Sequence, residues 1–213
     1  VGRVINRLKA KGLLVEPVNT VLARRARKRR WKPRYAVRKP KGYKIQEPGD
    51  LVEIDTLNVH LLPGVRRYQF SARDVLFKYD VLRAYKYQSS VKAAHFLHYL
   101  RKKFPFPIKA IQIDGGSEFK KFFEEECQKA GILLFVLPPS SPKLNGHVER
   151  ANRTHREEFY EVEEVDLSIE KHNQQLEQWS YVYNYIRPHQ ALDYMTPYEY
   201  YQQWLRNKSS KCH

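Results

Sequence analysis

The 213-residue chain predicts an α/β fold, a mixed five-stranded sheet flanked by helices and preceded by a basic N-terminal arm. Three observations predict it. Apolar runs with strand spacing and with helical spacing follow one another in the order β-β-β-α-β-α-β-α-α, which builds one sheet covered by helices. Hydrophobic residues make up 42% of the chain and aromatics 13%, enough for a real core at this length. The excess of positive charge sits at the front: residues 1–48 hold 16 Lys and Arg against Glu16 and Glu47, while 49–213 hold 23 basic and 21 acidic residues.

The elements are justified in chain order. Val4, Ile5, Leu8, Leu13 and Leu14 space as a short amphipathic helix and its exit, with Gly12 as the stop. This piece resembles the end of a winged helix-turn-helix domain, so residues 1–20 are expected to be its remnant. With Val1 in place of Met, the chain is expected to be a piece of a longer protein. Residues 21–48 read as a basic linker. Arg24, Arg25, Arg27, Lys28, Arg29 and Arg30 are its densest run, and Trp31, Tyr35 and Tyr43 interleave with the charges. Arginines grip phosphates and aromatics stack on bases, so nucleic acid is the expected partner. A targeting tail or solvated linker is the other reading of the charge, and docking on its own domain is the other reading of the aromatics.

The folded core is expected over 49–206, with 207–213 as a tail. Pro48-Gly49-Asp50 turns into a strand at 51–59, where Val52 and Ile54 share one face and Glu53, Asp55 and Leu57 the other. Pro63-Gly64 closes it, and strands at 68–75 and 79–87 complete a meander. Residues 90–103 form a helix on Val91, Ala94, Phe96, Leu97 and Leu100, ended by Pro105 and Pro107. A buried strand at 108–113 leads to the turn Gly115-Gly116-Ser117, where Ser117 is expected to cap a helix reaching about Ala130. A last strand at 132–137, a stiff polar loop at 138–142, and helices from 146 past 159, over 169–185 and over 197–205 follow. The aromatics from Trp179 to Trp204 point to core packing or a protein interface.

No apolar run approaches membrane-spanning length and no signal-peptide stretch opens the chain. Cys127 and Cys212 give neither a disulfide framework nor zinc spacing, which suits a reducing, intracellular setting.

Three acids stand where burial makes them costly: Asp55 inside an apolar strand, Asp114 at the end of another, Glu149 in a helix after a stiff loop. Each alone reads better as a surface or capping residue, and only the set of three shifts that reading. Gathered in one cleft they repel, and a hard cation relieves that. Glu118 reads as a helix-dipole residue, and Asp74 and Asp80 bracket a turn. On the helix of Glu149, Arg153 and Arg156 follow at i+4 and i+7 and share its face. They are DNA-phosphate candidates, as is Lys143 in the loop, although Arg153 and Arg156 also suit ion pairs with Glu157, Glu158 or Glu161. His147 turns away from Glu149, and His189 is expected to be structural.

From about Gly49 to Trp204 the chain resembles the integrase core shared by retroviral integrases and bacterial insertion-sequence transposases. Asp55 matches the family's first acid. Asp114-Gly115-Gly116-Ser117-Glu118-Phe119 resembles its Asp-Asn-Gly-Ser-Glu-Phe block, with Gly115 where Asn is usual. Pro138, Ser140, Ser141, Pro142, then Asn145-Gly146-His147-Val148-Glu149-Arg150 and Asn152 resemble the loop and helix of the third acid. Tyr185 to Leu192, with Thr196-Pro197-Tyr198-Glu199, resembles the transposase branch's closing motif. Between Asp114 and Glu149 lie 34 residues, one fewer than in the retroviral branch. The resemblance implies a ribonuclease-H-like fold with its first and fourth strands adjacent. It implies Asp55, Asp114 and Glu149 as catalytic metal ligands for Mg²⁺ or Mn²⁺, two ions roughly 4 Å apart. It also implies DNA strand cleavage followed by 3′-OH strand transfer, with element ends and target DNA as partners and a homo-oligomer assembled on them. The setting it implies is intracellular, cytoplasmic or nucleoid-associated in a bacterium. A hydrolytic ribonuclease-H-like nuclease and a domesticated DNA-binding protein are the alternatives.

Overall fold

The computed structural model describes residues 2–15, 35–138 and 145–210. It divides into two compact units, Val1–Arg34 and Tyr35–His213. In the first, helix α1 (Gly2–Ala10) buries no side chain. Gly12 ends it with φ +68° while the Leu13 N–H donates back to Leu8 O at 3.0 Å. A Gly here fits because L-residues resist the left-handed conformation.

The second unit is built on a sheet of β1 (Val52–Leu62), β2 (Val65–Asp74), β3 (Asp80–Tyr85), β4 (Ala110–Ile113) and β5 (Leu133–Val136), in the order β3-β2-β1-β4-β5. The meander β1–β2–β3 is antiparallel, and β4 and β5 run parallel to β1. The first and fourth strands are therefore neighbours, as expected. Alternation sorts the side chains onto two faces. Val52, Ile54, Phe70, Ala72, Val81, Ile111 and Ile113 meet Phe96, Leu97 and Leu100 of α2 (Ser90–Lys103) and Phe123 and Cys127 of α3 (Phe122–Lys129). On the other face, Leu82 and Ala84 meet Phe159 and Leu176. That face is covered by α4 (Gly146–His155), which widens into a π-helical turn at Arg156–Tyr160, and by α5 (Ile169–Tyr185).

Helix α6 (Pro197–Ser210) completes the unit and runs past the expected end of the core. Phe77, fully buried, is ringed by Tyr200, Tyr201 and Trp204 at centroid distances of 5.4, 5.8 and 5.9 Å. These C-terminal aromatics are core packing.

Two expectations change. Ser117 does not cap a long helix: Ser117–Phe119 is a single 3₁₀ turn, Lys121 breaks the chain at φ +50°, and α3 starts at Phe122. Tertiary contacts override local propensity here, because Phe119 is drawn into the core and Glu118 turns inward. The linker was expected to reach residue 48, yet residues from Tyr35 onward pack with the larger unit. The Tyr35 hydroxyl donates to Ile132 O at 2.8 Å, and Tyr43 stacks edge-on against Phe135 at 5.0 Å. Val37 pairs with Phe135 as a parallel bridge and covers the otherwise open edge of β5.

Candidate metal-binding carboxylate site

Adjacent strands bring the first two acids together. Parallel pairing aligns Val52 with Ile111 and Glu53 with Gln112, and Asp55 and Asp114 each lie two residues further on. Asp55 is partly buried on the face of β1 that α4 covers. The Asn152 amide of α4 donates to its Oδ2 at 2.8 Å. Asp114 is exposed just beyond β4, and the Gly116 N–H donates to its Oδ1 at 2.9 Å. Glu149 is exposed on the first turn of α4.

The three carboxylates feel one another. Burial, and then the charges of Asp114 and Glu118, raise Asp55 above the usual carboxylate range, against the hydrogen bonds from Thr56 and Asn152. Glu149 is raised by partial burial and then by Asp55 and Asp114. Among the described residues no three His, Cys, Asp or Glu side chains stand close enough to enclose a single ion. The arrangement is a loose trio of like charges, open to solvent.

The turn after β4 explains the departure at position 115. Gly115 has φ +90°, where Asn is among the few L-residues that are tolerated. Glu118 tucks beneath this turn, and a Cβ on Gly116 would stand 2.6 Å from its carboxylate. Thr56 Oγ1 donates to Glu118 Oε1 at 3.1 Å and Gln88 Nε2 donates to the same oxygen. Glu118 is thus a fourth carboxylate beside Asp55, held by two donors.

Sequence reasoning passed over Glu53. It is 2% exposed and accepts the backbone N–H groups of His147 and Val148 on Oε2, each at 3.0 Å. Asn145 supplies no side-chain cap to α4, so the strand that bears Asp55 caps the helix that bears Glu149. The only signal was a second acid on the same strand face, two residues before Asp55.

A fully buried network holds α4 from behind. Arg73 pairs with both oxygens of Asp80 at 2.7 Å and donates to His147 O at 3.3 Å. His155 Nε2 lies 3.1 Å from Asp80 Oδ2, and Trp179 donates to its Nδ1 at 3.0 Å, so the proton of the neutral ring sits on Nε2. Tyr183 meets Arg73, and His189 contacts Tyr183 O at 3.0 Å. Asp74 accepts the Gly49, Leu76 and Phe77 N–H groups at 2.9, 3.0 and 2.7 Å. Asp74, Asp80 and His189 are therefore structural.

The other predicted contacts are scattered. Arg153 pairs with Glu157 at 2.7 Å, both exposed, and Arg156 is exposed without an ion pair among the described residues. Arg24, Arg25, Arg27, Lys28, Arg29, Arg30 and Lys143 lie outside the described residues.

Comparison with solved structures decides the fold. The chain superposes on a chain of the simian T-cell lymphotropic virus intasome in complex with PP2A regulatory subunit B56 gamma, with a TM-score of 0.63 and 16% identity, covering 79% of this chain and 58% of that one. It superposes on the catalytic core domain of BIV integrase with a TM-score of 0.57 and 18% identity, covering 75% and 97%. The fold is that of an integrase catalytic core.

Residues 130–197 of the chain match the family described as integrase core domain. That span holds β5, α4, α5 and Glu149, and leaves out Asp55 and Asp114. Among curated proteins, the chain is 28% identical over 106 residues to a putative integrase, ORF3 of Spiroplasma virus SpV1-C74, covering 44% of this chain and 29% of that protein. It is 25% identical over 143 residues to an uncharacterized 31.7 kDa protein of insertion element IS407 from Burkholderia multivorans, covering 67% and 48%. The chain spans less than half the length of these relatives. The resemblance to integrase-core recombinases is borne out, and among the described residues no helix is long and apolar enough to cross a membrane.

Proposed function

We propose that this chain is the catalytic core of a DNA transposase or integrase, which cuts a DNA strand at an element's end and joins the freed 3′ hydroxyl to target DNA. The observation that carries the reading is the like-charged trio of Asp55, Asp114 and Glu149, set on β1, just beyond its parallel neighbour β4, and on one helix; within it, Asp55 and Glu149 are raised by burial and by their acidic neighbours. Such repulsion lacks a use in a structural site, where buried charges are paired.

The donor set fits a hard divalent cation: three carboxylates, no sulfur, no imidazole. Asp55, Asp114 and Glu149 would hold Mg²⁺ or Mn²⁺, two ions, which when bound supply Lewis-acid stabilisation of charge at the reacting phosphate. The chain's own work is positioning. Asn152 fixes Oδ2 of Asp55 and the Gly116 N–H fixes Oδ1 of Asp114, so both carboxylates are oriented before a cation arrives. Glu53 and the Arg73–Asp80 pair hold α4, and with it Glu149, over the strand ends. In the first reaction a water oxygen attacks phosphorus and the P–O3′ bond breaks, releasing a 3′ hydroxyl. In the second, that hydroxyl attacks a target phosphodiester, forms a new P–O3′ bond and displaces the target's own 3′ oxygen.

The basic run from Arg24 to Arg30, with Lys143, Arg153 and Arg156, is proposed to hold DNA phosphates. A homo-oligomer bridging two DNA ends, in an intracellular setting, belongs to the same reading. The chain organisation proposed with it is a helix-turn-helix remnant at 1–20 before the basic segment.

Glu118 favours a second reading. A fourth acid beside Asp55 suits a hydrolytic nuclease on the same fold. Its carboxylate is already engaged by Thr56 and Gln88, so strand transfer remains the first choice. The test is a joining assay with Mg²⁺ or Mn²⁺ and the element's own ends. Glu149→Gln is expected to abolish joining while DNA binding persists. Joining by that variant would refute the trio. A parent that degrades RNA–DNA hybrids and never joins DNA would establish the nuclease, and a parent that binds DNA without either reaction would establish a binding protein.

A further inference from the structure

The rear of α4 carries an arrangement that the carboxylate site does not use. A cavity of about 1010 Å³ opens between the start of α4, the β2–β3 turn and the segment joining α5 to α6. Its far wall is the block Arg187-Pro188-His189-Gln190-Ala191, part of the closing motif, in which only His189 was expected to be structural. Lys39, Arg73, Lys78, Arg150 and Arg187 line it, against one acid, Glu53.

Internal pairing removes only part of this positive charge. Arg73 is matched by Asp80 at 2.7 Å and Arg187 by Glu158 at 2.7 Å. Glu53 is committed to the backbone of α4. Lys39, Lys78 and Arg150 form no ion pair with an acid among the described residues. His147 stands among them on the first turn of α4. The Lys78 ammonium sits 3.2 Å from its Nδ1, on a backbone held at φ +58°.

Three unmatched cations converging on one concavity call for an anion. Lysine serves as a point charge and arginine as a planar fork, the pair of donors that phosphate oxygens accept best. The volume exceeds what one free phosphate fills and admits a nucleotide-sized stretch of backbone. His147, Arg150 and Thr154 lie roughly 100–160° around α4 from Glu149, at about 100° per residue. We infer that this cavity seats a phosphate of the DNA backbone against the side of α4 turned away from Glu149, so that substrate grips the helix of the third acid from behind. The inference rests on the reading of DNA as substrate.

The test is fluorescence anisotropy of a mixed-sequence 20-base-pair duplex with the 213-residue chain across a salt series. Arg150→Glu and Lys39→Glu carry the test. Lys102→Glu on the last turn of α2 makes the same charge change elsewhere. Each lost phosphate contact lowers the slope of log K against log salt by about one. Both cavity variants are expected to show that loss and about ten-fold weaker binding at low salt. Arg150→Lys is expected to restore most of it, and Lys102→Glu to keep the parent slope. Arg150 is exposed, so its variant should fold; if Lys39→Glu does not, Arg150→Glu decides alone. Unchanged slopes in the cavity variants, or an equal loss in Lys102→Glu, overturn the inference. Inorganic phosphate that protects the parent but not Arg150→Glu from heat, with duplex binding unaffected, also overturns it, in favour of a small-anion site. A parent that binds duplex through the cavity yet neither cuts nor joins would sink the catalytic reading and leave the seat standing.

Discussion

Two charged clusters flank α4, and they are built on opposite rules. Behind the helix, Arg73, Asp80, His155 and Tyr183 are wholly enclosed and matched. Burial raises Asp80, but the Arg73 guanidinium and His155 more than offset that and leave it below the usual carboxylate range. In front, Asp55, Asp114 and Glu149 are partly wet and share one sign, and Asp55 and Glu149 are raised by burial and by their acidic neighbours. The rear cluster uses electrostatics to fix a helix. The front cluster leaves its electrostatics unsatisfied, which the proposed cation would relieve. Both act on one helix, so the stability of the first supports the tension of the second.

The sharpest way to break the comparison is to unpair the rear. Asp80→Ala strands a buried guanidinium, and removing one partner of such a pair costs about 3–5 kcal/mol. Urea denaturation at pH 7 checks this; a loss below about 1 kcal/mol would mean that the network is not what fixes α4. The sign of its pH dependence follows from the depressed pKa. Stability from Asp80 is fully present above the unfolded-state value of about 3.9 and is lost as pH falls through its lowered folded value. The next effect is smaller. Glu53→Ala leaves the His147 and Val148 N–H groups without their acceptor, at about 2 kcal/mol. Glu53→Gln keeps one acceptor oxygen and is expected to recover about half. Amide exchange at His147 and Val148 distinguishes a local loss of the cap from global unfolding.

The same contrast marks what could be read in the sequence. Residues 90–103 and 169–185 were legible as helices, because apolar spacing decides such elements. For α2, Ser89 also accepts the Lys92 N–H as a cap, and prolines follow its end. The adjacency of Asp55 and Asp114 came from family resemblance, since strand order is a tertiary property. Glu53 and Asp55 looked alike as acids on one face of one strand; only the arrival of the start of α4 at Glu53 makes one a cap and leaves the other to the cleft. Glu118 was misread for a similar reason. Its partners Thr56 and Gln88 lie 62 and 30 residues away, and they cancel the helix that Ser117 should have started. The cation-lined cavity was illegible altogether, because Lys39, Lys78, Arg150 and Arg187 come from four separate stretches of chain.

The smallest effect expected is a gain. Asp55→Asn removes one charge from the front cluster. The new side chain can still present an oxygen to the Asn152 amide, which now reaches Asp55 at 2.8 Å. Relief of repulsion in a strained site is worth of the order of 1 kcal/mol, so the variant should be more stable than the parent while joining no DNA. The sign with pH is opposite to that of Asp80. A carboxyl whose folded pKa is raised gives stability that is fully present below its unfolded value and is lost as pH rises through the folded value. The gain from Asp55→Asn should therefore vanish near pH 4 and grow toward neutrality, measured as the difference in denaturation midpoint between variant and parent. A divalent cation should reverse the order at pH 7, because it binds the folded parent and not the variant. If Asp55→Asn is instead destabilising at every pH without added cation, the front carboxylates are as well matched as the rear ones, and the contrast on which the site is argued fails.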